Sequence, residues 1–177
     1  MQAIAEAAGV HPQTVYLAFG TKAAVLAEAA ACIAAGDDHD GATETDSSDP
    51  VRQLLCFARH QCEIAARLGP LLTLVVATAY SEPDVAAFCE HNRRACLADA
   101  RSLVARIEEG GALHPDLSPD EAADILYTLA SPDSYLRLVG DRGWSSERYE
   151  QWLAELLCAR LLRGQNTGTK ACSSAKC

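Results

Sequence analysis

Apolar positions recur along this chain with a period close to that of an α-helix, and the breaks between runs fall at Gly, Pro and Ser. Ile4, Ala5 and Ala8 form a short apolar face that stops at Gly9, where a left-handed turn can form and Val10 can fill the corner. A second short helix is predicted to begin near His11 or Pro12, because proline is tolerated in a first turn, and to run to Phe19. Val15 and Phe19, four apart, would face inward together. From Val51 the pattern resumes, with Val51, Leu54, Leu55, Ala58, Cys62 and Ala65 on one stripe of an amphipathic helix. Gly69 and Pro70 are expected to end that helix and begin another. The next run, Pro70 to Tyr80, is apolar nearly all round and is predicted to lie at the centre of a bundle.

Pro83 suits the first turn of a long helix whose predicted buried seam is Val85, Cys89, Cys96, Ala100, Leu103, Val104 and Ile107, ended by Gly110 and Gly111. In "LSPDEAADILYTL", Ser118 can cap a helix, Pro119 fits its first position and Glu121 stands three after the serine, the capping-box arrangement. Pro132 should break that helix, and residues 140 to 146 form a turn. A last helix from Ser145 carries Tyr149, Trp152, Leu153, Leu156, Leu157, Leu161 and Leu162. Composition divides the chain further. Residues 37 to 50 are acidic and polar, with little to bury, and read as an exposed linker. Residues 1 to 36 then form a small head, 51 to 163 a helical body and 164 to 177 a tail expected to be disordered.

The chain has 177 residues, 6% aromatics and a net charge of -9. Its abundance of Ala and Leu and shortage of β-branched runs favour an all-α protein. The longest apolar stretch is about half of the roughly 20 residues that a membrane span requires, and no secretory leader pattern occurs. No membrane association and a cytoplasmic location are therefore expected. Eight cysteines invite a disulfide reading, but most lie in helical patterns, where buried thiols acting as small apolar groups are the simpler account.

Candidate chemistry outside the head is thin. Cys56 and His60 are one turn apart and could begin a metal site, but Cys62 points elsewhere on the helix. "CSSAKC" at 172 to 177 would make only a weak site. No metal or cofactor is therefore expected. The chain has no G-x-S-x-G elbow, phosphate-cradling glycine loop or H-E-x-x-H pair, and paired acids such as Asp37-Asp38 and Glu108-Glu109 read as solvated charge, so an enzyme is not expected.

The head carries more information. Two short helices about a glycine turn make a helix-turn-helix, in which the second helix enters the major groove. Gln13 and Thr14 fall on its outer faces and Tyr16 keeps a free hydroxyl. Gln can pair with an adenine edge, whereas a Tyr hydroxyl or Lys can hold a phosphate. "IAEAAGVHPQTVYLAFGTKAAVL", residues 4 to 26, resembles the DNA-binding signature of the TetR family of bacterial transcriptional regulators. The resemblance is carried by Ile4-Ala5, Ala8-Gly9-Val10, Thr14-Val15-Tyr16, Phe19 and Lys22. Residues 114 to 157 are similar to the C-terminal region of an actinobacterial group of these regulators.

The resemblance implies an all-helical homodimeric repressor with a helix-turn-helix head and a helical ligand-binding and dimerisation domain. Its partners would be palindromic double-stranded operator DNA and a small-molecule effector that releases it. The recognition helix would span about Pro12 to Ala18, with Gln13 reading a base and Thr14, Tyr16 and Lys22 on phosphates. His11 stands where the family usually has a small polar cap; it is expected to cap poorly but to add a phosphate contact when protonated. Phe57, Gln61, Val76, Tyr80, Phe88, Asn92 and Tyr127 are candidates for the effector pocket, an apolar set with polar tips. Leu126, Leu129, Leu156, Leu157 and Leu161 are candidates for the dimer interface, although a monomer core would use the same residues. Because the family carries a further helix and a basic arm ahead of this motif, the head is expected to be incomplete. The alternative is then a helical homodimer that binds a small ligand or protein partner without binding DNA, or a thiol or metal sensor.

Overall fold

Four of the helices start where a proline follows a capping side chain. A computed structural model describes residues 1–35 and 48–164. The expected disordered tail beyond Gly164 and nearly all of the acidic linker lie outside the described residues. The elements are α1 (Gln2–Ala8), α2 (Pro12–Phe19), α3 (Lys22–Ala35), α4 (Pro50–Ala79), α5 (Pro83–Glu109), α6 (Pro119–Leu129), α7 (Pro132–Tyr135), a π-helical stretch (Leu136–Asp141) and α8 (Ser146–Leu161). The chain is therefore all-α, with no strand among the described residues. Asp49 Oδ1 accepts from the Val51 N–H at 3.0 Å ahead of Pro50 in α4. At α6 the capping box is complete: Ser118 Oγ accepts from the Glu121 N–H at 3.3 Å, while Glu121 Oε2 accepts from the Ser118 N–H at 3.0 Å.

The expected break at Gly69 and Pro70 does not occur. Helix α4 runs unbroken through both residues, although an interior proline removes one main-chain hydrogen bond and costs about 3 kcal/mol in a free helix. Here α4 is flanked by α5, α7 and α8, and its stripe of Leu54, Ala58, Cys62, Ala65 and Val75 is buried on both sides of the proline. Tertiary burial thus overrides the local penalty. Gly69 has a packing role instead, because a Cβ there would sit 3.0 Å from Leu136 Cδ2. Its missing side chain lets the segment after α7 lie close on α4.

The run from Pro70 to Tyr80 does not form the centre of the bundle. Val75 is buried, but Val76 is exposed and Tyr80 is 90% exposed, because this end of α4 runs past the core to the corner that leads into α5. The core sits nearer the other end. It joins Leu54, Ala58 and Cys62 of α4, Leu103, Val104 and Ile107 of α5, Ala122, Ala123 and Leu126 of α6, and Tyr149, Leu153, Leu157 and Leu161 of α8. The α5 seam also departs from expectation: Cys96 is exposed and Cys89 only half-buried. Helix α6 lies along α5, yet His91 to Cys96 remain uncovered, so the periodic seam outruns the surface available to bury it.

Aromatic rings lock the last corner. Tyr135 and Tyr149 meet edge to face at 5.1 Å, and Trp144 meets Trp152 in the same way at 5.9 Å. The Tyr149 hydroxyl donates to the Leu129 carbonyl at 3.3 Å, and burial pushes its pKa up to about 12. The Arg148 guanidinium lies 3.9 Å from the centre of the Trp144 ring. Beyond α8, the Arg163 N–H donates to the Ala112 carbonyl and the His114 N–H to the Leu161 carbonyl, both at 2.8 Å, which ties the α5–α6 loop to the end of α8.

Candidate nucleic-acid interface

Gly9 makes the turn between α1 and α2. Its φ of 66° is left-handed, and the amides of Gly9 and Val10 donate to the carbonyls of Glu6 and Ala5, closing α1. Helix α2 then departs in a new direction. His11, expected to be a poor cap, in fact caps it: Nδ1 accepts from the Gln13 N–H at 3.3 Å. An accepting Nδ1 leaves the ring proton on Nε2 of the neutral imidazole, so a phosphate contact from Nε2 does not require His11 to be protonated.

Ala5 and Val15 are buried where the two helices cross. Phe19, expected to face inward with Val15, remains 39% exposed, and so does Ile4. The outer face of α2 presents Gln13, Thr14, Tyr16 and Leu17, all exposed, with Pro12 half-buried at the start. Leu17 is 83% exposed, and an apolar side chain so placed can touch a thymine methyl. Gly20 ends α2 with a φ of 71°, and Thr21 Oγ1 accepts from the Ala24 N–H at 3.1 Å to begin α3.

Lys22, expected on a phosphate, is bonded to the body. Its ammonium donates to Glu82 Oε1 at the start of α5, and that hydrogen bond and charge raise its pKa. Glu82 is the residue that sequence reasoning missed. It lies sixty positions away, and an exposed Glu before a proline gives no signal of a distant partner.

The proposed effector-pocket residues do not converge on one site. Phe57 and Tyr127 are half-buried against the core, Gln61 and Phe88 are half-buried, and Val76, Tyr80 and Asn92 are exposed. Phe57 and Tyr80 are on the order of 35 Å apart along α4 at 1.5 Å per residue, too far to line a single small-molecule cavity. The dimer candidates divide as well. Leu126, Leu157 and Leu161 are fully buried within the protomer and cannot reach a partner, whereas Leu129 and Leu156 are half-buried. Among the described residues no three His, Cys, Asp or Glu side chains converge as metal ligands, and no single helix is long and apolar enough to cross a membrane. The Cys62 thiol is pushed up to about 11, chiefly by burial, which suits a core residue and not a reactive one. The "CSSAKC" segment lies outside the described residues.

A glycine-turned pair of helices, with a polar outer face on the second and a helical bundle behind, makes a helix-turn-helix head on an all-α body. Residues 1–29 match the model of the tetR family of bacterial regulatory proteins. That match covers the head alone, so it is residues 1–29 that are similar to those regulatory proteins. No curated protein sequence matches the chain. A crystal structure of a protein described as a TetR-family transcriptional regulator from Rhodococcus sp. superposes with a TM-score of 0.61 at 19% identity, covering 89% of this chain and 85% of that one. At that identity the likeness speaks to the fold.

Proposed function

We propose that the protein is a ligand-responsive transcriptional repressor. As a homodimer it binds palindromic operator DNA through α2 and is released by a small-molecule effector held in the body. The observation that carries this reading is the outer face of α2, where Gln13, Thr14 and Tyr16 stand clear of the protein on a helix whose start is fixed by the His11 cap. Gln13 would read a base edge, Thr14 and Tyr16 would hold phosphates, and the His11 Nε2–H could add another phosphate contact. Two copies would place two recognition helices on successive half-sites, which is why a palindrome is expected.

The test is binding of the full chain to labelled duplexes in moderate salt, one carrying the DNA directly upstream of its own gene and one of scrambled sequence. A preference for the upstream duplex, with two protomers bound per duplex by light scattering, supports the reading, and equal binding to both refutes it. One observation favours a second reading, a head that docks a protein partner and not DNA. Ile4, Val10, Tyr16, Leu17 and Phe19 are all large, apolar and exposed on or beside α1 and α2. That reading requires the same duplexes to go unbound even in low salt.

A further inference from the structure

Lys22 is the one Lys or Arg in residues 1–35, set against Glu6 and Glu28. Affinity for the DNA backbone comes largely from cationic side chains that displace counterions, so Lys22 is the main cationic phosphate donor within residues 1–35. In the structure that donor is already engaged by Glu82. Lys22 begins α3 just after the DNA-facing α2, and through Glu82 it is tied to the body. Glu82 occupies the cap position of α5, yet its side chain makes no capping hydrogen bond. The carboxylate is thus turned to Lys22 and away from the helix that it begins.

We propose that Glu82 competes with DNA phosphate for Lys22, an autoinhibitory contact that has to open before this lysine can hold the DNA backbone. The proposal rests on the DNA-binding reading above. An ammonium has three donors, but a carboxylate and a phosphate drawn to it together repel each other, so the two partners exclude one another. Both side chains of the pair are part-exposed, at 44% and 39%. Such a pair is weak enough for a phosphate to displace. Linkage then works in both directions: DNA binding removes one tie between α3 and the α4–α5 corner, and a shift of that corner away from α3 frees Lys22 for DNA.

The test is a double-mutant cycle on the full chain: wild type, Glu82→Gln, Lys22→Gln and the double variant. Binding is titrated by fluorescence anisotropy against the upstream and scrambled duplexes across a salt series from about 50 to 200 mM. Glu82→Gln is expected to tighten binding to both duplexes by about three- to tenfold at the lowest salt, and to steepen the slope of log affinity against log salt by up to about one. In the Lys22→Gln background, adding Glu82→Gln should change nothing. An equal gain in both backgrounds would mean that Glu82 merely repels DNA at a distance, and no gain in the wild-type background would mean that it does not compete; either result overturns the proposal. If no variant binds either duplex at the lowest salt, the DNA-binding reading fails first and takes the proposal with it.

Discussion

The head and the body are built from the same kind of helix but are held together to different degrees. In the body, four long or capped helices bury a continuous core in which Leu54, Ile107, Leu126, Leu153, Leu157 and Leu161 are sealed from water. In α1 and α2 only Ala5 and Val15 are buried, while five large apolar side chains on or beside those helices are exposed. Secondary structure in the head therefore depends on local devices, the Gly9 turn and the His11 cap, and on contact of α3 with α4 and α5. The body should dominate the measured stability, and the head should respond to substitution mainly through function.

The sharpest way to test this difference is to remove the same side chain from each region. Leu157→Ala empties a fully buried site and is expected to destabilise the protein by about 2–5 kcal/mol, read as a lower urea midpoint. Leu17→Ala on α2 should shift that midpoint by less than about 0.5 kcal/mol. A matching loss at both positions would mean that the head is packed as firmly as the body. Val15→Ala is intermediate. It removes two methyl groups from the α1–α2 crossing, worth about 1.5 kcal/mol at the usual value per buried carbon. Because that loss falls on the head alone, DNA binding should weaken while the main unfolding transition, followed by the Trp144 and Trp152 fluorescence of the body, stays in place. If that transition moves instead, the two regions unfold as one unit.

Local devices in the body allow a smaller test. Ser118→Ala should destabilise α6 by about 1 kcal/mol, the usual worth of a serine cap. The Glu121 carboxyl is held below its ordinary 4.5, first by the Ser118 main-chain N–H and then by the Ser118 hydroxyl. A depressed folded pKa means that the stabilisation is complete above 4.5 and is lost as the pH falls from there through the folded value. The stability gap between wild type and Glu121→Gln should thus be widest near neutral pH and close as the pH falls below 4.5 through the folded value. A gap that is flat across that range would show that charge has no part in the capping box.

The same division between local and distant causes separates what was legible in the sequence from what was not. The Gly9 turn, the Pro12 start, the Ser118 box, the Pro132 break and the all-α class each follow from chemistry within four residues of chain, and all appear in the structure. Features that depend on partners distant in sequence were misread. Proline 70 looked like a terminator because its local penalty is visible, whereas the flanking α5, α7 and α8 that override it are not. Cys96 lies on the periodic seam of α5 but is exposed among the described residues. Leu126, Leu157 and Leu161 looked equally suited to a core or an interface, since periodicity shows that a face is buried without showing what buries it. Glu82 is the extreme case, a surface carboxylate whose role depends wholly on where α3 happens to lie.

An effect on binding alone, with no change in stability, bears most directly on what the head does. Tyr16 is 54% exposed on α2, so Tyr16→Phe should leave folding unchanged. If its hydroxyl donates to a phosphate, the loss is one hydrogen bond to a charged acceptor, about 1.5 kcal/mol or roughly tenfold in affinity. Phosphates carry no sequence information, so upstream and scrambled duplexes should weaken by the same factor. Gln13→Ala offers the contrast: a base reader should lose preference for the upstream duplex while retaining its affinity for scrambled DNA. A Tyr16→Phe variant that weakens binding at one base pair only would assign the hydroxyl to a base edge. The head would then read sequence over a longer stretch of α2 than Gln13 alone.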